Sequence, residues 1–389
     1  MVRAMRIARY DMVDPAFPVS LVEVDDPPLP GPAWARVAVR SSGICGSDLH
    51  NVYPDGSGSR IFGPHVGAPM EMGHEMAGEV VEAGPDCPVA VGTRVAVDPT
   101  LGCASRGVAL CPMCAAGAVS SCWNLGSKLF TGGFGLGFTT GLGGGWGDAL
   151  VAHASQLHAV PAGVDDRTAA LTEPLSVAVH AVARRLPPAG APVLVVGAGI
   201  IGLTSVVALR AAAPMSEITV LARHPHQAAA ASALGAHHVV RPDDDGDFWD
   251  ELARLGGGSR RGRRDGATLA GGYPLTVEAV GTPASVSIAL RATSPRGAVI
   301  LIGGIQVATV DLAALWFREL EVVGAFCHAV DAGPSGSRHS FDVALDLLAA
   351  GALPAARVVT HEFALADLPA ACATAQDKST GAIKVLLRP

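Results

Sequence analysis

The chain has 389 residues, 49% hydrophobic and 16% charged, which excludes a disordered polymer and leaves room for two packed domains. A formal net charge of −7, with no basic face, speaks against a nucleic-acid partner. No uncharged apolar stretch is long enough to span a bilayer, so no membrane partner is expected. Residues 1–40 carry no basic-then-apolar leader, so the expected location is the cytoplasm. In that compartment eight cysteines point to metal ligation rather than disulfides.

Residues 1–40 alternate apolar and polar positions around a turn-rich break at Pro27, Pro28, Pro30 and Gly31, and residues 34–39 (WARVAV) are expected to form a strand. SGICGSDLH follows, placing Cys45, Ser47 and His50 within six residues between flexible glycines. Further on, MGHEMAG puts His74 beside Glu75. Cys45, His74 and one carboxylate would make a mixed S/N/O zinc site with a position left open for water or substrate. Either segment alone has a plain explanation, a buried thiol or a packed histidine. Their joint occurrence upstream of a dinucleotide motif favours a site.

Cys103, Cys111, Cys114 and Cys122 lie within twenty residues, two of them as C-P-M-C, the pattern of a closed tetrahedral structural zinc. A redox role for Cys111 and Cys114 is the competing reading. Residues 129–147 are glycine-dense and are expected to form a mobile loop, with a plain connector as the alternative. Residues 148–161 return to strand-like alternation. Glu173, with Pro174 behind it, suits a helix start, where the dipole favours a carboxylate.

Residues 193–196 form an apolar run, followed by Gly197, Gly199 and Gly202 at G-x-G-x-x-G spacing and a long helix-prone stretch. A strand, a tight glycine turn and a helix N-terminus bind a pyrophosphate, so Gly197, Gly199, Ile200, Ile201 and Gly202 are expected at a dinucleotide. Residues 217–221 supply the next strand. An NAD-specific site places a carboxylate at its end; here Ala222, Arg223 and His224 stand instead, and Glu217 lies at the wrong end. A guanidinium in that place suits a 2′-phosphate, so NADP is the expected cofactor, with NAD as the alternative if Arg223 is only a solvated charge.

Residues 228–236 read as a helix and 238–241 as a strand. The basic, glycine-rich residues 256–272 read as a solvated loop. Residues 275–280 and 298–302 are later parallel strands whose glycine ends, Gly281 and Gly303, would face the nicotinamide. Residues 341–348 form a helix, and Lys384, within residues 381–385, is a weak candidate for a phosphate contact.

GICGSDLH, GHEMAGEV, the fingerprint and EPLSV together resemble the zinc-dependent medium-chain alcohol and polyol dehydrogenases, the branch of sorbitol and threonine dehydrogenases, over nearly the whole chain. The resemblance implies a GroES-like β-barrel catalytic domain (residues 1–171, with the structural-zinc lobe), a Rossmann doubly wound parallel sheet (172–328) and a C-terminal return to the first domain (329–389). It implies Cys45 and His74 as zinc ligands, with Glu75 and Glu173 as the two carboxylates near the metal. Which of the two binds directly stays open. Ser47 would take the alcohol proton and pass it, through the cofactor ribose, to His50. The longer gap between Cys103 and Cys111 departs from the family's lobe. The implied activity is hydride transfer between NADP or NAD and a secondary alcohol, polyol or cyclitol, by a homodimer or homotetramer. Two rivals remain: a zinc-free reductase of conjugated double bonds, and a non-catalytic nucleotide sensor.

Overall fold

Apolar alternation at residues 34–39 does produce a strand, Trp34–Gly43, and one half of the molecule is assembled on it. The computed structural model describes residues 4–14, 16–53, 69–125, 133, 135–242, 247–263, 266–305, 308–333 and 336–389. They divide into a first unit, Met1–Ser176 with Cys327–Val330 and Gly336–Pro389, and a second, Val177–Phe326 with Asp331–Ser335.

In the first unit, Trp34–Gly43 pairs antiparallel with Glu75–Ala83, Ala149–His153 and, near its end, Lys384–Arg388. Arg94–Val97 and Leu157–Ala159 extend the sheet on one side, and Val359–Ala364 on the other. Its apolar face (Val37, Val39, Val80, Val95, Val97, Leu150) is buried as one core. Val19–Asp25, Ala4–Tyr10 and Met70–Glu71 form a smaller sheet.

The glycine-dense segment departs from expectation. Residues 129–132 and 134 lie outside the described residues, but 135–147 are threaded through the first unit, with Leu136, Phe138, Leu142 and Trp146 buried. Buried Glu71 anchors the run by accepting the N–H groups of Gly141, Leu142 and Gly143 at 3.0, 3.1 and 2.6 Å. The glycines are there for close approach rather than mobility, because a Cβ on Gly144 would enter the carbonyl oxygen of Met72. Gly144→Ala is therefore expected to destabilise by about 2 kcal/mol as an overpacked site. Thermal unfolding should show a midpoint roughly 2–3 °C lower; an unchanged midpoint would refute the packing account.

In the second unit six strands are all parallel, in the spatial order His238–Val240, Ile218–Leu221, Val193–Val196, Tyr273–Glu278, Thr293–Leu301, Glu321–Gly324. Numbered along the chain this is 3-2-1-4-5-6, the doubly wound order, whose switch point lies between Val193–Val196 and Tyr273–Glu278. Val193–Val196 is wholly buried, as its unbroken apolar sequence requires. Residues 256–263 and 266–272 are more ordered than expected. They contain an antiparallel pair, Ser259–Arg261 with Thr268–Ala270, and Arg260 is neutralised by Asp247 at 2.8 Å and Asp250 at 3.1 Å. Among the described residues no helix is long and apolar enough to cross a membrane.

Candidate active site and metal centres

Strand register brings the first cluster together. Gly43 lies opposite Glu75 on one side and Leu386 on the other, so Cys45, just past that strand, meets Glu75 and Lys384 at one sheet end. Gly43 has to be glycine, since a Cβ there would collide with the Glu75 carboxylate. One donor atom each from Cys45, His74 and Glu75 lies within 4.8 Å of the others, a thiolate, an imidazole and a carboxylate suited to zinc.

Asp48 arranges two of these residues. Its Oδ2 accepts the Cys45 N–H at 3.0 Å, closing the start of the helix Gly46–Val52. Its Oδ1 stands 3.2 Å from His74 Nδ1, which leaves Nε2 for the metal side, the carboxylate–histidine arrangement that fixes a ligand's tautomer. Burial works against a charged His74, but the Asp48 carboxylate, aided by Cys45, outweighs it and holds the ring well above the usual histidine value. The same negative field favours a metal cation.

Lys384 is not a phosphate contact. It is 1% exposed, and its Nζ donates to both Glu75 oxygens at 2.7 and 2.6 Å and to the Ile44 carbonyl at 3.0 Å. Burial pulls its ammonium down, yet the Glu75 charge more than compensates and leaves it above the ordinary lysine value. Glu173, at the start of the helix Thr172–Arg184, faces His328 Nε2 at 3.2 Å, and His328 Nδ1 is 2.8 Å from Ser176 Oγ. Burial pushes the Glu173 carboxyl up, and the hydrogen bond and charge of His328 bring it below its usual value.

Ser47 Oγ is 3.5 Å from His74 Nε2. His50 lies three residues further along the same helix and is exposed. No hydrogen bond joins Ser47 to His50 among the described residues. Sequence reasoning missed Asp48, His328 and the true role of Lys384. Only Asp48 carried a local signal, an acid three residues after a helix-capping position.

The second cluster is Cys103, Cys111, Cys114 and Cys122, whose sulfurs lie within 4.8 Å of one another and form no disulfide. Backbone N–H groups of Cys111, Cys114, Trp123 and Asn124 point at these sulfurs over 3.3–3.5 Å. The Cys114 N–H in particular, with that of Trp123, brings Cys111 down to about 6. Four converging thiols, rather than a lone pair, fit a closed structural ion.

In the second unit, the turn after Val193–Val196 places Gly197 at φ +101°, and a Cβ on Gly202 would strike the Gly197 carbonyl. The helix Ile200–Ala212 starts there, so the glycine fingerprint has the strand–turn–helix setting that phosphate binding requires. Gly281 and Gly303 meet at the ends of their strands, where Glu278 accepts the N–H groups of Val280 and Gly281 at 2.9 Å. Ala222 and Arg223 follow Ile218–Leu221, and His224 caps the next helix. Arg223 is exposed, with no ion-pair partner among the described residues. Glu217, at the other end of that strand, is 3.3 Å from His238.

Comparison with known proteins points to a family of zinc-binding dehydrogenases. The family described as Alcohol dehydrogenase GroES-like domain matches residues 31–162, and Zinc-binding dehydrogenase matches residues 201–351. A sorbitol dehydrogenase of Arabidopsis thaliana is 30% identical over 342 residues, covering 86% of this chain and 83% of its own. An L-threonine 3-dehydrogenase of Pyrococcus abyssi is 32% identical over 292 residues, 74% of this chain and 73% of its own. Among solved structures, a zinc-binding dehydrogenase from Sinorhizobium meliloti bound to NADP superposes over 100% of both chains with a TM-score of 0.78 at 26% identity. With the metal cluster, the fingerprint and these relatives in agreement, the chain belongs to the zinc-dependent medium-chain alcohol and polyol dehydrogenases.

Proposed function

We propose that this oxidoreductase moves a hydride between NADP(H) and a secondary alcohol, polyol or cyclitol, or the matching ketone. The convergence of Cys45, His74 and Glu75 carries this reading and favours it over a zinc-free reductase or a nucleotide sensor. We assign these three as the catalytic zinc ligands, with Glu173, steered by His328, beside them. Bound there, zinc supplies a Lewis acid that lowers the pKa of the substrate hydroxyl or polarises a carbonyl. Lys384 holds Glu75 in place and Asp48 holds His74. Ser47 takes the substrate proton and, three residues along one helix face, His50 passes it to solvent.

Preference for NADP rests on Ala222 and Arg223 standing where an NAD site needs a carboxylate, and on the NADP reported with the Sinorhizobium meliloti relative. A polyol-like substrate is favoured by the relatives' names, sorbitol dehydrogenase among them. Self-association through the second unit is favoured by the edge strand Glu321–Gly324 and by Trp316 and Phe317, which are 82% and 81% exposed.

Turnover should be followed at the reduced-nicotinamide absorbance with secondary alcohols, polyols, cyclitols and their ketones, using both cofactors in parallel. NADP(H) is expected to win. Arg223→Ala should shrink the NADP-to-NAD ratio of kcat/KM by roughly 10–100-fold, the loss of one charge-assisted contact. A parent enzyme that prefers NAD, or a ratio unmoved by the substitution, would reject the assignment.

A further inference from the structure

A third group of metal-ligating side chains lies in the first unit and shares no residue with either cluster above. Asp98 follows the strand Arg94–Val97, His158 sits in the paired strand Leu157–Ala159, and His339 caps the helix Ser340–Ala349. One donor atom from each lies within 4.8 Å of the others. Their side chains are 5%, 10% and 15% exposed.

The imidazole of His158 is prepared as a ligand. Its Nδ1 is 2.7 Å from Asp342 Oδ1, so the proton sits on Nδ1 and the Nε2 lone pair is free. That Nε2 is buried with no hydrogen-bond partner among the described residues, an orphan that their hydrogen-bond network does not explain. Asp98 supplies the charge. Its Oδ1 accepts the Thr100 N–H at 2.8 Å, and its Oδ2 remains 3.3 Å from His339 Nε2. His328, the other histidine nearby, is engaged by Ser176 and Glu173 and does not join the set.

We propose that Asp98 Oδ2, His158 Nε2 and His339 Nε2 form a binding site for a divalent first-row transition cation, of which zinc is the representative. Two imidazoles and a carboxylate suit such an ion and leave one tetrahedral position for water. His339 Nδ1 accepts the Phe341 N–H at 3.2 Å, so its Nε2 carries a proton before loading. Binding moves that proton to Nδ1 and releases the long cap bond. In exchange the ion ties the Arg94–Val97 and Leu157–Ala159 strands to the helix that begins at Ser340.

The test starts from protein whose thiolate-containing sites are already filled with zinc. That protein is equilibrated with micromolar free Zn2+, gel-filtered and analysed for metal. One additional zinc per chain is expected in the parent and none in His158→Ala, with turnover equal in both. Loading the site with Co2+ instead should give d–d bands without the sulfur-to-cobalt charge transfer of the cysteine sites. Asp342→Asn leaves every ligand in place and should weaken this zinc by roughly 10–100-fold, so the test survives if His158→Ala does not fold. No additional zinc in the parent, or its full retention in either variant, would overturn the proposal.

Discussion

Cys45→Ala is expected to lower kcat/KM by about a thousandfold or more, because the roughly 4 kcal/mol of charge stabilisation supplied through the metal is lost with its thiolate ligand. Cys45 provides the sulfur of a three-donor set whose other members are His74 and Glu75. Without it the remaining imidazole and carboxylate bind zinc weakly, and Lys384 holds both Glu75 oxygens. The variant should contain one zinc fewer per chain than the parent. Its affinity for the reduced nicotinamide should be unchanged, since the glycine fingerprint lies in the other unit. Metal analysis, fluorescence titration of the cofactor and steady-state rates together decide it. Full turnover in a variant that has lost this zinc would remove the metal from the reaction.

The second large effect concerns stability. Cys111→Ser should expel the structural zinc and lower the apparent melting midpoint by about 4 °C, the equivalent of roughly 3 kcal/mol in a chain of this size. Around the four thiols the buried cluster consists of Cys103, Cys111 and Cys122, with Met113, Cys114 and Leu125 packed against it. Val108, Leu110 and Trp123 in the same lobe are exposed, so little apolar burial can replace the ion. The same loss should follow from a strong chelator acting on the parent. A midpoint that stays put after the zinc has left would assign this lobe's stability to something other than metal.

What the sequence discloses depends on distance along the chain. The cysteine lobe and the glycine fingerprint are local patterns, and each fold element they imply is present. A parallel sheet follows from apolar strands alternating with helices, whereas its doubly wound order comes from the family resemblance. Lys384 was misjudged because its partner Glu75 is 309 residues away, and only the pairing of Gly43 with both strands reveals the meeting. His328 meets Glu173 from far along the chain as well, with no local pattern to announce it. Residues 135–147 were misread for another reason. Glycine marks both slack chain and chain pressed against a carbonyl, and composition alone does not separate the two.

The Lys384–Glu75 pair also sets a schedule for biosynthesis. At about 5–20 residues per second, roughly 15–60 s pass between synthesis of the carboxylate and of the lysine that holds it. During that interval the nascent chain carries a half-built centre, with Cys45, His74 and Glu75 made but the sheet still lacking the strand Lys384–Arg388. In the proposed site, zinc captured early would meet a carboxylate free to swing, so the mature coordination would be reached only after translation has passed that strand.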